Sequence, residues 1–140
     1  MLANGATLGY SATGTGTITY TDIPGLKEIP EIGMDPERVE NTCLTDSVRK
    51  YEQGIGDPGD MEYVFKWDTG TNANKSAYTA MKTAQAAGSV IYFKEELRDG
   101  TTVTFSGQPA VKITGGGVNG VIEWRLGIAL QSDLEITLPA

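Results

Sequence analysis

The sequence predicts a mainly β fold, a β-sandwich or small barrel with one flanking α-helix. Three features predict it: runs in which apolar and polar residues alternate, turn signals between those runs, and one alanine-rich segment with helical spacing. At 140 residues the chain has the length of one domain. We therefore expect a single domain that covers residues 1–140.

The amino-terminal third contains only weak strand signals. GTGTITYTD, residues 14–22, alternates threonine and glycine with Ile18 and Tyr20, and ERVENTCL, residues 37–44, is compatible with another strand. The segment that follows, residues 44–59, is charged, punctuated by glycine and without periodicity. We expect irregular chain there.

Alternation in the rest of the chain predicts the core strands. In DMEYVFKWD, residues 60–68, every second side chain from Met61 to Trp67 is apolar and shares one face. The further predicted strands are SVIYFKEEL (89–97), TTVTFS (101–106), AVKIT (110–114), VIEWRLGIALQ (121–131) and LEITL (134–138). Asp99-Gly100 is a strong hairpin signal, so the strands on either side of it are expected to pair antiparallel.

One segment, NKSAYTAMKTAQAAG, is a good helix candidate. Asn74 or Ser76 is predicted to cap its start, alanine fills its interior and Gly88 is predicted to end it. The residues expected to share the face that packs on the sheet are Tyr78, Met81, Ala84 and Gln85.

Charge and composition argue against several classes of function. The net charge is −7, and all of this excess lies between Asp22 and Glu62, so the chain is a poor candidate for gripping nucleic-acid phosphates. The first residues lack the pattern of a signal peptide, and no apolar run approaches the roughly 20 residues of a spanning helix. These features predict a protein that is made and kept soluble inside a cell.

No catalytic, metal or cofactor site is predicted. The chain has no histidine and one cysteine, Cys43, which lies among acidic residues and has no partner for a disulfide. The pairs Glu95-Glu96 and Asp57/Asp60 do not match a calcium loop. Gly115–Gly117 precedes a strand rather than a helix, so a hairpin connection is favoured over a phosphate loop. We expect a protein that is not an enzyme.

The stretch from Pro24 to Asp68 resembles the tail tube, or major tail, proteins of long non-contractile bacteriophage tails. The resemblance is specific over about a third of the chain. The positions that carry it are Pro24-Gly25, Ile29-Pro30-Glu31, Gly33, Pro36-Glu37, Val39, Glu40, Thr42, Leu44, Arg49, Tyr51, Gly54, Asp57, Gly59, Glu62 and Phe65.

This resemblance implies a β-sandwich with a flanking helix, related to the tube proteins of contractile tails and type VI secretion. Such subunits form hexameric rings that stack into a conduit for genome DNA, without specific DNA binding. The implied partners are further copies of the chain and the tape measure, tail initiator or baseplate, and terminator proteins. The implied location is the virion tail, assembled in the host cytoplasm, with no membrane contact.

The resemblance also implies two assembly segments, an amino-terminal arm at about residues 1–14 and an assembly loop at about residues 44–59. The loop is expected to order against neighbouring subunits, which delays polymerisation because ordering costs entropy. Arginine and tyrosine are enriched in interfaces. The predicted self-assembly residues are Arg49, Lys50, Tyr51, Gln53, Gly54, Ile55 and Asp57.

Three alternatives stay open at this point. The first is a tube protein of a type VI secretion or bacteriocin-like machine, which would share the fold and the ring. The second is a monomeric β-sandwich that acts as a binding or decoration module. The third, with little support, is a hydrolase that uses only carboxylates.

Overall fold

The computed structural model describes residues 2, 4–33, 35–45, 47–57, 61–67, 70, 72–118, 120–132 and 134–139. These residues form ten strands and one helix. In chain order the elements are β1 (Thr7–Ser11), β2 (Thr21–Asp22), β3 (Leu26–Glu28), β4 (Asp35–Glu40), β5 (Tyr51–Asp57), β6 (Met61–Lys66), α1 (Asn72–Ala87), β7 (Ile91–Glu96), β8 (Thr102–Thr114), β9 (Glu123–Leu130) and β10 (Glu135–Thr137).

Eight of the strands form one antiparallel sheet. Its order is β2-β1-β7-β8-β9-β6-β3, and β10 pairs with the beginning of β8. Strands β4 and β5 form a separate two-stranded sheet. The mainly β class with one helix is thus confirmed. Of the two architectures predicted, the described residues adopt the barrel-like one, a single sheet curled into a half-barrel.

The curl follows from the connection between the two end strands. In a flat sheet β2 and β3 would lie six strand spacings apart, about 29 Å. They are joined by only three residues, 23–25, which span at most about 14 Å. The segment also bonds to both sides, because Ile23 N–H donates to Leu8 O at 2.9 Å and Lys66 N–H donates to Gly25 O at 2.9 Å. Residues 21–28 therefore draw the two ends of the sheet together.

Alternating side chains from the strands fill the inside of the curl. The register pairs Phe65 with Trp124, and their rings stack with centroids 4.5 Å apart. Phe93 pairs with Phe105 and stacks on it at 5.5 Å. The fully buried large side chains are Leu8, Tyr63, Phe65, Met81, Phe93, Trp124 and Leu126, together with the polar Asn74 and Glu95.

The helix is where the sequence predicts it, but its start and its buried face differ in detail. It ends before Gly88, whose φ of +67° suits glycine. Asn74 and Ser76 are not caps, because the helix already begins at Asn72. The buried residues are Asn74, Ala77, Met81 and Ala84. Of the four residues predicted for the sheet-facing side, Tyr78 is half-buried and Gln85 is exposed.

The two strands predicted at 101–106 and 110–114 form one strand, β8, which continues through Gly107, Gln108 and Pro109. Pairing with β7 ends at Gly107, and beyond it the Val111 N–H donates to Gln85 Oε1 of the helix at 3.0 Å. Pro109 directs its ring nitrogen to the same side, since alternate residues of a strand do so. Its missing N–H therefore costs no ladder bond.

Two predicted segments contain strands that the sequence did not indicate. Residues 7–11, inside the predicted arm of residues 1–14, form β1 and pair with β7 along their whole length. Residues 51–57, inside the predicted irregular segment, form β5. The weak signal at 14–22 corresponds only to the two residues of β2, and the signal at 37–44 overlaps β4.

Candidate self-assembly surfaces

Strands β4 and β5 make an antiparallel ribbon, which we call the arm (residues 35–57). It is distinct from the predicted amino-terminal arm at about residues 1–14. Its register pairs Glu40 with Tyr51 and Arg38 with Gln53, with an irregularity between Pro36 and Arg38. Near the turn Asn41 N–H donates to Lys50 O at 2.7 Å. Within the described part of the chain these two strands pair only with each other. An isolated two-stranded ribbon is marginally stable in water, so the arm lacks the support of a core.

The structure brings several predicted self-assembly residues onto this arm. Arg49, Lys50, Tyr51 and Gln53 are all exposed, and Tyr51 and Gln53 share one face of the ribbon. Arg49 Nε lies 4.0 Å from Glu40 Oε1. An exposed ion pair at this distance is weak, so the charge of Arg49 remains available to a partner. The backbones of the other three predicted residues, Gly54, Ile55 and Asp57, belong to β5.

The arm also exposes apolar side chains. Val39 and Tyr51 are half exposed, and Val48 and Leu44 are more exposed still. Their burial against another molecule would be favourable at about 25 cal/mol for each Å². The predicted self-assembly residues do not include Val39, Leu44 and Val48, because a scattered valine or leucine carries no periodic signal; Val39 and Leu44 enter the sequence analysis only as positions of the resemblance.

Part of the edge of β6 is unpaired in the described part of the chain. Strand β3 pairs only with Val64 and Phe65, whereas β9 pairs with β6 along its whole length, Met61 to Lys66. Among the described residues, no strand pairs with the outer side of Met61–Tyr63. Such an edge is a template for pairing with another chain.

On the convex face of the sheet, three basic side chains each contact a glutamate. Arg125 donates from Nη1 to Glu62 Oε1 at 2.8 Å, and Lys112 Nζ lies 3.8 Å from Glu62 Oε2. The bond from Arg125 lowers the pKa of Glu62. At the next register position Lys27 Nζ contacts Glu123 Oε1 at 3.2 Å. This face therefore offers no basic stripe for phosphate binding.

Asn74 joins three elements inside the fold. Its Nδ2 donates to Pro24 O at 2.8 Å and to Lys66 O at 3.2 Å, and its Oδ1 accepts from Trp124 Nε1 at 3.3 Å. It thus connects the helix to the segment that draws the sheet ends together, to β6 and to β9. The side chain uses both donors and its acceptor, as a buried amide requires.

Glu95 and Tyr63 meet across the inside of the half-barrel, from β7 and β6. Among the described residues, Tyr63 Oη and Glu95 Oε1 have no hydrogen-bond partner, and both side chains are fully buried. Burial raises the pKa of Glu95 to about 7. Burial, followed by the charge of Glu95, raises the pKa of Tyr63 well above its usual value.

The remaining candidate sites in the described part of the chain are an open cleft, the acidic side chains and Cys43. A cleft of about 540 Å³ is an open groove between residues 4–6 and 26–29. In the part of the chain that the structure describes, no three acidic or cysteine residues form a metal-binding group. Cys43 is exposed on the arm. The helix is neither long nor apolar enough to cross a membrane, and the described residues contain no other.

No family model and no curated protein matches the sequence. Solved structures do match. A chain of the anti-feeding prophage baseplate superposes with a TM-score of 0.71 at 12% identity, over 99% of this chain and 95% of that one. A chain of the tail of an empty GTA particle with C6 symmetry superposes with a TM-score of 0.65 at 20% identity, over 93% of this chain and 95% of that one. A chain of the SPP1 tail tube superposes with a TM-score of 0.59 at 14% identity, over 96% of this chain and 77% of that one.

This chain has the tail-tube fold. The match extends over nearly the whole chain, whereas the sequence resemblance was specific only from residue 24 to residue 68. The tail-tube fold therefore includes the helix and strands β7 to β10, for which the sequence indicated only a compatible order of elements.

Proposed function

We propose that this protein is the structural subunit of a tail tube and acts by polymerising with copies of itself. The observation that carries the proposal is a tail-tube fold in which, among the described residues, the strands of the arm pair only with each other and part of the β6 edge is unpaired. A second copy supplies what each surface lacks, strand pairing for the edge and apolar contact for the arm.

The proposed assembly is a hexameric ring whose sheets join into a continuous inner barrel, with rings stacked into a tube that conducts genome DNA. Six-fold symmetry of the GTA tail supports the ring. The net charge of −7 supports the conduit, because a wall without net attraction for phosphate does not hold the moving strand. The proposed partners are the tape measure, initiator or baseplate, and terminator proteins, and the proposed location is the virion tail.

The arm is proposed to dock on a neighbouring subunit, with Arg49, Lys50 and Tyr51 as its first contacts. Deleting residues 50–56 removes β5, which is outside the main sheet, so the body is expected to stay folded while tube growth is lost. Negative-stain micrographs and light scattering of the purified protein measure this. Arg49→Ala with Tyr51→Ala is the milder version, and Lys75→Ala with Lys82→Ala on the exposed side of the helix is the matched control.

Two results would contradict the proposal at different levels. Tubes of normal length from the deletion variant would refute the role of the arm alone. A wild-type protein that stays at 14.9 kDa across concentration, with or without a tail initiator, would refute the polymerising subunit itself.

The second candidate is the tube subunit of an injection particle. The match to a chain of the anti-feeding prophage baseplate, with a TM-score of 0.71, supports it; a chain of the GTA virion gives 0.70. Particles purified from the natural source distinguish the two functions. A contractile sheath around the tube would favour the injection particle, and a DNA-filled capsid on a tube without a sheath would favour the long non-contractile tail.

A further inference from the structure

The end of β8 and its connection to β9, residues 113–122, form what we call the tip, and its described apolar side chains are exposed. Ile113, Val118, Val121 and Ile122 are each at least half exposed, and Val118 is fully so. None of the ten residues is charged, although 21% of the whole chain is. Exposed apolar surface without charge is typical of the centre of an interface rather than of a solvated loop.

A second apolar patch lies on the carboxy-terminal segment, residues 134–139, which we call the tail segment. Its strand β10 pairs Ile136 with Val103 at the beginning of β8. Ile136 and Leu138 are more than half exposed. The only charge in the segment is Glu135.

The tip and the tail segment lie at opposite ends of β8. Both are attached to β8, the tail segment at Val103 and the tip at Ile113, and these residues are about 33 Å apart along an extended strand. The two patches of one molecule therefore cannot cover each other. A second copy in the same orientation brings its tail segment to the tip of the first.

We propose that the tip of one copy docks on the tail segment of the next copy along the direction of β8, and that this contact links successive layers of the tube. The contact is heterologous, so it leaves one free tip and one free tail segment at the ends of every assembly and growth continues. Tip-to-tip pairing would instead produce a closed dimer. This inference rests on the proposed self-assembly and adds the surface through which it extends.

The test blocks each end separately. Val121→Glu with Ile122→Glu places two charges in the tip, and Ile136→Glu with Leu138→Glu places two in the tail segment. Each variant is expected to raise the protein concentration needed for tubes by about thirtyfold or more, the effect of losing a hot-spot contact. Thr83→Glu, on the exposed side of the helix, is the matched control and is expected to form tubes at the wild-type concentration.

Mixing the two blocked variants distinguishes the geometry. One variant retains an intact tail segment and the other an intact tip, so the mixture is expected to form assemblies with a single junction and no long tubes. Light scattering and negative-stain micrographs measure this. Because the substituted side chains are exposed, the circular dichroism of each variant is expected to match wild type; Val118→Ser and Leu138→Ser provide milder versions if one does not.

Long tubes from either blocked variant, or a mixture without any junction, would overturn the inference while leaving the proposed function intact if the wild type forms tubes. A wild-type protein without tubes or rings overturns both. Closed dimers from the tail-blocked variant alone would show that the tips pair with each other, which also overturns the inference.

Discussion

Replacing Asn74 by alanine is expected to lower the free energy of unfolding by about 3 to 5 kcal/mol. The change removes three side-chain hydrogen bonds, to Pro24 O, Lys66 O and Trp124 Nε1, at a position that is 1% exposed. A buried polar group that loses its partner costs about 1–3 kcal/mol, and three groups are affected here. The expected total is near the lower end of the sum for three groups, because water and small shifts of the chain satisfy some of the polar groups that lose a partner.

Urea unfolding at low protein concentration, followed by tryptophan fluorescence, measures this loss. Asn74→Asp is the sharper variant, because it has nearly the same shape but its carboxylate cannot donate to the carbonyls of Pro24 and Lys66. It is expected to be destabilised at least as much as Asn74→Ala at pH 7. Ser76→Ala, two residues along on the exposed side of the helix, is the control and is expected to stay within about 0.5 kcal/mol of wild type.

A loss below about 1 kcal/mol for both Asn74 variants would refute this reasoning. It would mean that the segment at residues 21–28 and strand β6 are held together without the helix. A large loss of stability for Ser76→Ala would instead indicate that Ser76 caps the helix, as the sequence alone predicted.

The remaining predictions concern the protonation of Glu95 and the backbone conformation of Gly25. Glu95 has a pKa of about 7 in the fold against 4.5 unfolded, so its protonation stabilises the protein fully below pH 4.5 and this contribution is lost as the pH rises to 7. From pH 4.5 to pH 8, the free energy of unfolding of Glu95→Gln is expected to rise by about 3 kcal/mol relative to that of wild type. Urea unfolding at several pH values measures this, and a difference between variant and wild type that does not change with pH would contradict it. Gly25→Ala is expected to cost about 1–2 kcal/mol, since its φ is +87° and the new Cβ would meet Lys66 Cγ at 2.8 Å. Gly127→Ala is the control, because its new Cβ would meet Ala110 O at an ordinary contact distance of 3.8 Å; equal stability of the two variants would exclude strain at Gly25.

Much of the fold follows from local patterns in the chain. Alternation predicts β6 and β9 with the correct faces, Asp99-Gly100 predicts the pairing of β7 with β8, and the alanine-rich segment with Gly88 predicts the helix. These features could be predicted because neighbouring residues decide them, through side-chain periodicity and through the backbone angles that turns and helix ends require.

Only the tertiary structure shows how distant segments meet. The single strand β8, the curl imposed by residues 21–28, the position of Asn74 between three elements and the separate arm all depend on partners far away in the chain. The same holds for the tip and the tail segment, since their placement at opposite ends depends on pairing with β8. A sequence records which residues are apolar or polar, but long-range pairing decides which of them remain uncovered.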